Sequence, residues 1–188
     1  MRHLRLAYPD TSIDIISGGL MLGERVGTID KVAPYVKTAY KDVEERTGVK
    51  FGDSFVNGSL RDGTMRLDSM PPAIAMAIFR EKFPNTALTY SEVLHKMIYV
   101  DGHSSDDWEE LTNCAVALGY DREEFEGKLN DEKYENLAKQ DFMYARQLEV
   151  SGYPALIIEH QGQLYLMAKG FTNKEVLLER IERLLNTK

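Results

Sequence analysis

Val150-Ser151-Gly152-Tyr153-Pro154-Ala155-Leu156-Ile157-Ile158 is the stretch on which the fold turns. A Gly-aromatic-Pro step leads into a run of apolar residues. Proline has no N–H to give a sheet ladder, so within a sheet it is tolerated at a strand's first residue. The stretch therefore reads as a tight loop entering a strand at 155–159. A second strand, 164–168, follows across Gln161-Gly162, the pattern of a hairpin. Beyond it Val176, Leu177, Ile181, Leu184 and Leu185 recur at helical spacing, which predicts an amphipathic helix over about 172–186.

Upstream of this β-rich end the pattern is helical for most of the chain. Thr28 is a candidate cap for a helix to about Thr47, with Gly48 as its stop; Val32, Tyr35, Val36, Ala39 and Val43 share one face. Asp68 or Ser69 can start a helix whose first turn holds Pro71-Pro72, where a missing N–H costs nothing. It runs to about Phe83. Further helices are predicted at about 89–100, 105–118, 121–129 and 131–149, with Asp121 and Asp131 as caps. Residues 49–68 show no periodicity and read as a long loop. At the other end, 1–8 reads as the last turns of a helix stopped at Tyr8-Pro9, and isoleucine-rich 12–17 as a strand ended by Gly18-Gly19. A small sheet interrupted by helices is an α/β arrangement: residues 1–27 and 150–188 are expected to form the sheet domain and 28–149 a helical insertion.

Composition narrows the function classes. The chain has 188 residues and a net charge of -7. An acidic surface repels phosphate backbones and anionic membranes, so neither nucleic acid nor membrane is an expected partner. No apolar run nears the roughly 18 residues that span a bilayer. There is one cysteine, Cys114, and hence no intramolecular disulfide. Together these favour the cytoplasm.

The Gly152-Tyr153-Pro154 step resembles the cis-proline loop of the thioredoxin superfamily, and residues 141–150 resemble the helix that leads into it in DsbA-like proteins. Three further stretches agree in order: Leu6-Ala7-Tyr8-Pro9-Asp10 to Gly18-Gly19, Asp68 to Ala73, and Tyr99-Val100-Asp101-Gly102 with Leu118-Gly119-Tyr120-Asp121. The set is most similar to the cytoplasmic FrnE-type branch, near the hydroxychromene-carboxylate isomerases and kappa-class glutathione transferases. The resemblance implies a thioredoxin-like sheet, a cis Tyr153–Pro154 bond, and substrate binding at Gly152, Tyr153 and Pro154. In the family, the backbone before the proline pairs with substrate as a short strand. Partners on this reading are protein thiols or disulfides, or a small-molecule thiol.

The family also begins with a strand and a Cys-x-x-Cys motif, about 20 to 25 residues that this sequence lacks. Met1 then reads as an internal methionine of a longer protein, and the first strand as missing. A sheet without its central strand is expected to associate as a homodimer, or to let 12–17 pair directly with 155–159. The function expected is a thiol–disulfide oxidoreductase scaffold without dithiol activity of its own and without a cofactor. The alternatives are a glutathione-dependent isomerase or transferase, or a peptide-binding module.

Nothing else in the sequence carries catalysis. Leu111, Cys114, Ala115 and Leu118 share a helical face, so Cys114 reads as core, and no catalytic residue is assigned. His3, His95, His103 and His160 lack metal-site spacing, so no metal is expected. Gly18 to Gly23 lacks the Gly-Lys-Ser/Thr of a phosphate loop, and Ser17 and Ser69 lie outside Gly-x-Ser-x-Gly. The acidic run 121–135 reads as a solvated face. Met65, Met70 and Met76 read as core filler, with an adaptable groove as the other option.

Overall fold

A computed structural model describes residues 2–186. The readings of Met1 and of the His3 side chain fall outside the described residues. In chain order the elements are α1 (Arg2–Ala7), β1 (Gly27–Thr28), α2 (Ala33–Thr47), a π-helical turn (Ser54–Ser59), α3 (Leu60–Asp62), β2 (Arg66–Leu67), α4 (Met70–Lys82) and α5 (Ala87–Tyr99). Then come α6 (Trp108–Val116), α7 (Arg122–Lys128), α8 (Glu132–Gln147), β3 (Ala155–His160), β4 (Gln163–Lys169) and α9 (Lys174–Leu185). The architecture is the mixed α/β thioredoxin-like one expected, with helices dominating. It divides into two compact units.

The larger unit is Ile13–Ala145. Its centre is α4, whose residues 73–79 are all buried. A helix that is apolar all round belongs inside. Asp68 accepts a hydrogen bond from the Met70 N–H at 2.9 Å and so satisfies one free donor of the first turn. Phe79 stacks on Tyr90 at 4.2 Å, and the buried Tyr90 hydroxyl donates to the Leu111 carbonyl at 3.0 Å. Met65 and Met76 are buried and Met70 packs against the same core, which is the filler role. Gly48 closes α2 in the left-handed region. Asp107 and Asp121 cap α6 and α7 through Glu110 and Glu124.

Two sequence readings need correction. Residues 12–17 form no strand. They carry no regular secondary structure and are held by side chains of α4 and α8. The Ser17 N–H donates to Asp141 at 3.0 Å, and Arg80 donates to the Ile15 carbonyl at 2.7 Å. Met21 and Ser69 exchange two further bonds. Ile15 is partly buried against the core, but the backbone finds side-chain partners instead of a ladder, so no pairing of this segment with 155–159 as strands occurs. Residues 13–27, expected with the sheet, thus group with the helices. Residues 49–68 are not one long loop either. They contain the π-helical turn, α3 and β2, which pairs antiparallel with β1.

The smaller unit takes the chain up to Ser12 and from Arg146 onward. β3 and β4 pair antiparallel from Ala155↔Lys169 to His160↔Gln163, with one irregularity after Leu156. Gln161 and Gly162 make the turn with positive φ of 53° and 75°, the geometry a two-residue hairpin wants. Met167, Leu4, Ile181 and Leu184 form its core. The other hairpin face leaves Leu164 and Leu166 exposed.

Candidate functional site

The loop 150–154 is built from both sides. After α8, Glu149 takes a positive φ of 53° and its N–H bonds back to Arg146, which ends the helix. The Tyr153–Pro154 peptide bond is cis. The Pro154 carbonyl accepts the Gly170 N–H at 2.7 Å, one step beyond the β3–β4 ladder, and so fixes the loop to the end of β4. Lys169 donates to the Ser151 hydroxyl at 2.6 Å. Its side chain lies over Gly152, where a Cβ would stand 3.0 Å from Lys169 Cε. Tyr153 and Phe171 leave this closed base in opposite chain directions, 43% and 48% exposed. Gly152, Tyr153 and Pro154 thus form one braced, accessible surface with an aromatic ring on show. It offers shape, backbone, the Tyr153 phenol and the Lys169 ammonium, and it holds no thiol.

The nucleophile question rests on Cys114. It lies in α6, is 7% exposed, and is unpaired. Burial pushes its thiol up to about 11, with Glu110 and Asp101 adding to the rise against a smaller opposing effect of Lys96. Reactive cysteines have the opposite surroundings: a helix N-terminus or a nearby cation, and access.

The remaining candidates do not converge. His103 faces Asp107 at 3.5 Å, His95 sits by Tyr99, and His160 ends β3. Among the described residues no group of three or more His, Cys, Asp and Glu side chains could hold a metal ion.

A family model for the DSBA-like thioredoxin domain matches residues 33–182. That span is well over half of the chain. The chain belongs to the DSBA-like thioredoxin domain family.

The fold of this DSBA-like chain is shared by solved structures. One is a candidate protein disulfide isomerase from Nitrosomonas europaea, with a TM-score of 0.84 and 20% identity over 98% of this chain and 87% of that one. Another is the cytosolic disulfide reductase DsbM from Pseudomonas aeruginosa, with a TM-score of 0.73 and 20% identity over 90% of this chain and 82% of that one. DsbM in a structure with GSH aligns at 0.69, with the same identity and coverage. No curated protein matches.

Within this DSBA-like chain, sequence reasoning missed two features. One is the Arg80–Asp141 pair, whose partners lie far apart in sequence. The other is the set of basic side chains Lys37, Lys41 and Arg61 on α2 and α3. Lys37 and Lys41 at i, i+4 without intervening acidic partners were the available signal for the second.

Cys114 gives a direct check. At pH 8 a thiol near 11 is about 0.1% thiolate, against about a quarter for an ordinary cysteine. Alkylation by iodoacetamide is therefore expected to run about a hundredfold slower than for free cysteine, to speed up with every pH unit, and to recover in urea. Rapid labelling of the folded chain at pH 8 would show that the thiol is open and activated.

Proposed function

We propose that this DSBA-like chain is a thiol–disulfide oxidoreductase scaffold of the cytoplasmic FrnE-type branch. Its Gly152-Tyr153-Pro154 loop holds an extended segment of a thiol- or disulfide-bearing protein, and these 188 residues carry out no dithiol exchange by themselves. The state of Cys114 carries the reading. Exchange needs a thiolate to attack and a second thiol to resolve the mixed disulfide. The sequence holds one cysteine, and it is buried and protonated. The loop supports the binding half: it is accessible, fixed by Gly170 and Lys169, and placed at the head of β3, where an added peptide can run as a strand. A cytoplasmic setting is supported by the single cysteine, and no described helix is long and apolar enough to cross a membrane. The name of DsbM as a cytosolic disulfide reductase points the same way.

A second reading is a glutathione-dependent isomerase or transferase. It is favoured by the DsbM structure with GSH, which makes glutathione the small thiol to try first.

The test is insulin reduction driven by dithiothreitol, repeated with glutathione. The rate is expected to equal the uncatalysed control. A rate well above it that disappears in Cys114→Ser would overturn the reading by making Cys114 the nucleophile.

A further inference from the structure

We propose that the groove between α2 and the π-helical turn binds a small phosphate monoester carried on an apolar or aromatic body. Two adjoining cavities of about 270 and 360 Å³ share Lys37, Leu60 and Arg61 as lining. They form one shallow groove, open to solvent and floored by the buried Leu60. All of the lining comes from the larger unit.

The charges in this groove are unbalanced. Lys37 and Lys41 are one helical turn apart on α2 and face the same way. Among the described residues neither has an ion pair, although most lysines elsewhere in this unit do; Lys41 only sits 6.0 Å from the Tyr40 ring centre. Arg61 spends its Nε on Asp62 at 2.8 Å, and its two terminal nitrogens make no hydrogen bond among the described residues. A guanidinium fork with both arms open suits phosphate, and like charges at i, i+4 destabilise a helix until something neutralises them. Two carboxylates, Asp30 and Asp62, also line the groove and Asp62 holds Arg61, so the three cations leave an excess of one positive charge in a chain of net charge -7.

Direction comes from the two ends. Asp30 and Asp62 line the end near Gly63 and repel an anion there. The other end offers Lys41, Asn57, whose amide already donates to Asp53, and an apolar wall of Tyr40, Val56 and Leu60. A phosphate therefore sits at the Lys37–Lys41–Arg61 triangle with its organic body against Tyr40, Val56 and Leu60. The π-helical turn is the independent pointer. Its i→i+5 bonding is rare and recurs at functional sites, and here it presents Val56 and Asn57 to the groove.

The probes are phenyl phosphate and inorganic phosphate, titrated into the full chain by calorimetry at constant ionic strength set with sodium chloride. Phenyl phosphate is expected to bind at one site and about tenfold more tightly than inorganic phosphate, because its ring is covered. The double variant Lys37→Gln/Lys41→Gln is expected to lose at least about tenfold for both probes, and Arg61→Lys to weaken both while keeping the charge. Lys139→Gln, at an exposed pair with Glu135, is expected to bind like the parent chain. Circular dichroism identifies any variant that fails to fold, in which case Arg61→Lys carries the test. No saturation of either probe below about 10 mM, or unchanged binding in the folded variants, overturns the site. Equal affinity for the two probes overturns the apolar body.

Discussion

Asp141→Ala is expected to destabilise the protein by about 3 kcal/mol in urea unfolding and to speed hydrogen exchange at the Ser17 amide. The Asp141 carboxylate is 7% exposed and takes three hydrogen bonds. Arg80 gives two, at 3.0 and 2.8 Å, and the Ser17 N–H a third at 3.0 Å. Arg80 in turn holds the Ile15 carbonyl. Deleting the carboxylate leaves a partly buried guanidinium without its counter-charge and a backbone N–H without an acceptor. Each loss acts on groups already taken out of water, which is why breaking a pair costs more than never having made it. Arg80 keeps 24% exposure, so water recovers part of the loss and the lower end of the usual 3–5 kcal/mol range applies. Arg80→Met/Asp141→Leu is expected to cost clearly less than the two single changes summed. A loss below 1 kcal/mol for Asp141→Ala would mean that the pair is solvated in solution.

Gly52→Ala is expected to be at least as severe, about 3 kcal/mol or more, with Gly58→Ala near neutral beside it. A Cβ on Gly52 would lie 1.9 Å from the Val100 carbonyl oxygen and 2.7 Å from its Cα. Both are backbone atoms, so no side chain can turn aside. Relief requires moving the end of α5 or the start of the π-helical turn. Either move breaks the Gly52 N–H bond to the Tyr99 carbonyl at 3.0 Å and separates Phe51 and Phe55 from the Tyr99 ring, now 5.7 and 5.5 Å away. Gly58 has nothing within 4 Å of its would-be Cβ. Thermal melts of the two variants make the comparison, and equal melting temperatures would refute it.

The sequence was most legible where local chemistry decides. The hairpin follows from Gln161-Gly162 between two apolar runs, α7 from the Asp121 cap, and α9 from its apolar stripe. Each signal lies within a few residues of what it specifies. Ile13 to Ser17 failed because its alternation is real but its hydrogen-bond partners, Arg80 and Asp141, are more than sixty residues away. The stretch around Phe55 failed because a π-helical turn lacks the 3.6-residue repeat that betrays an α-helix. For the site, Gly152, Tyr153 and Pro154 were readable as a loop at a strand's head, since proline permits few alternatives. The Lys37, Lys41 and Arg61 groove was not, because Arg61 comes from an element that the sequence did not announce.

The bond between Ser17 and Asp141 spans 124 residues and joins the two ends of the helical unit. A loop of that length, left flexible, would cost about 4 kcal/mol to close. Folding of the helical unit closes it in advance, so the first turns of the chain and its last forty or so residues meet as neighbours on a short tether rather than as strangers on a long one. Once the helical unit is folded, that closure cost no longer falls on the hairpin unit. The clamp also makes the helical unit a cassette: its length can grow or shrink between Arg80 and Asp141 with little entropic consequence for the hairpin unit, provided the two ends stay stapled.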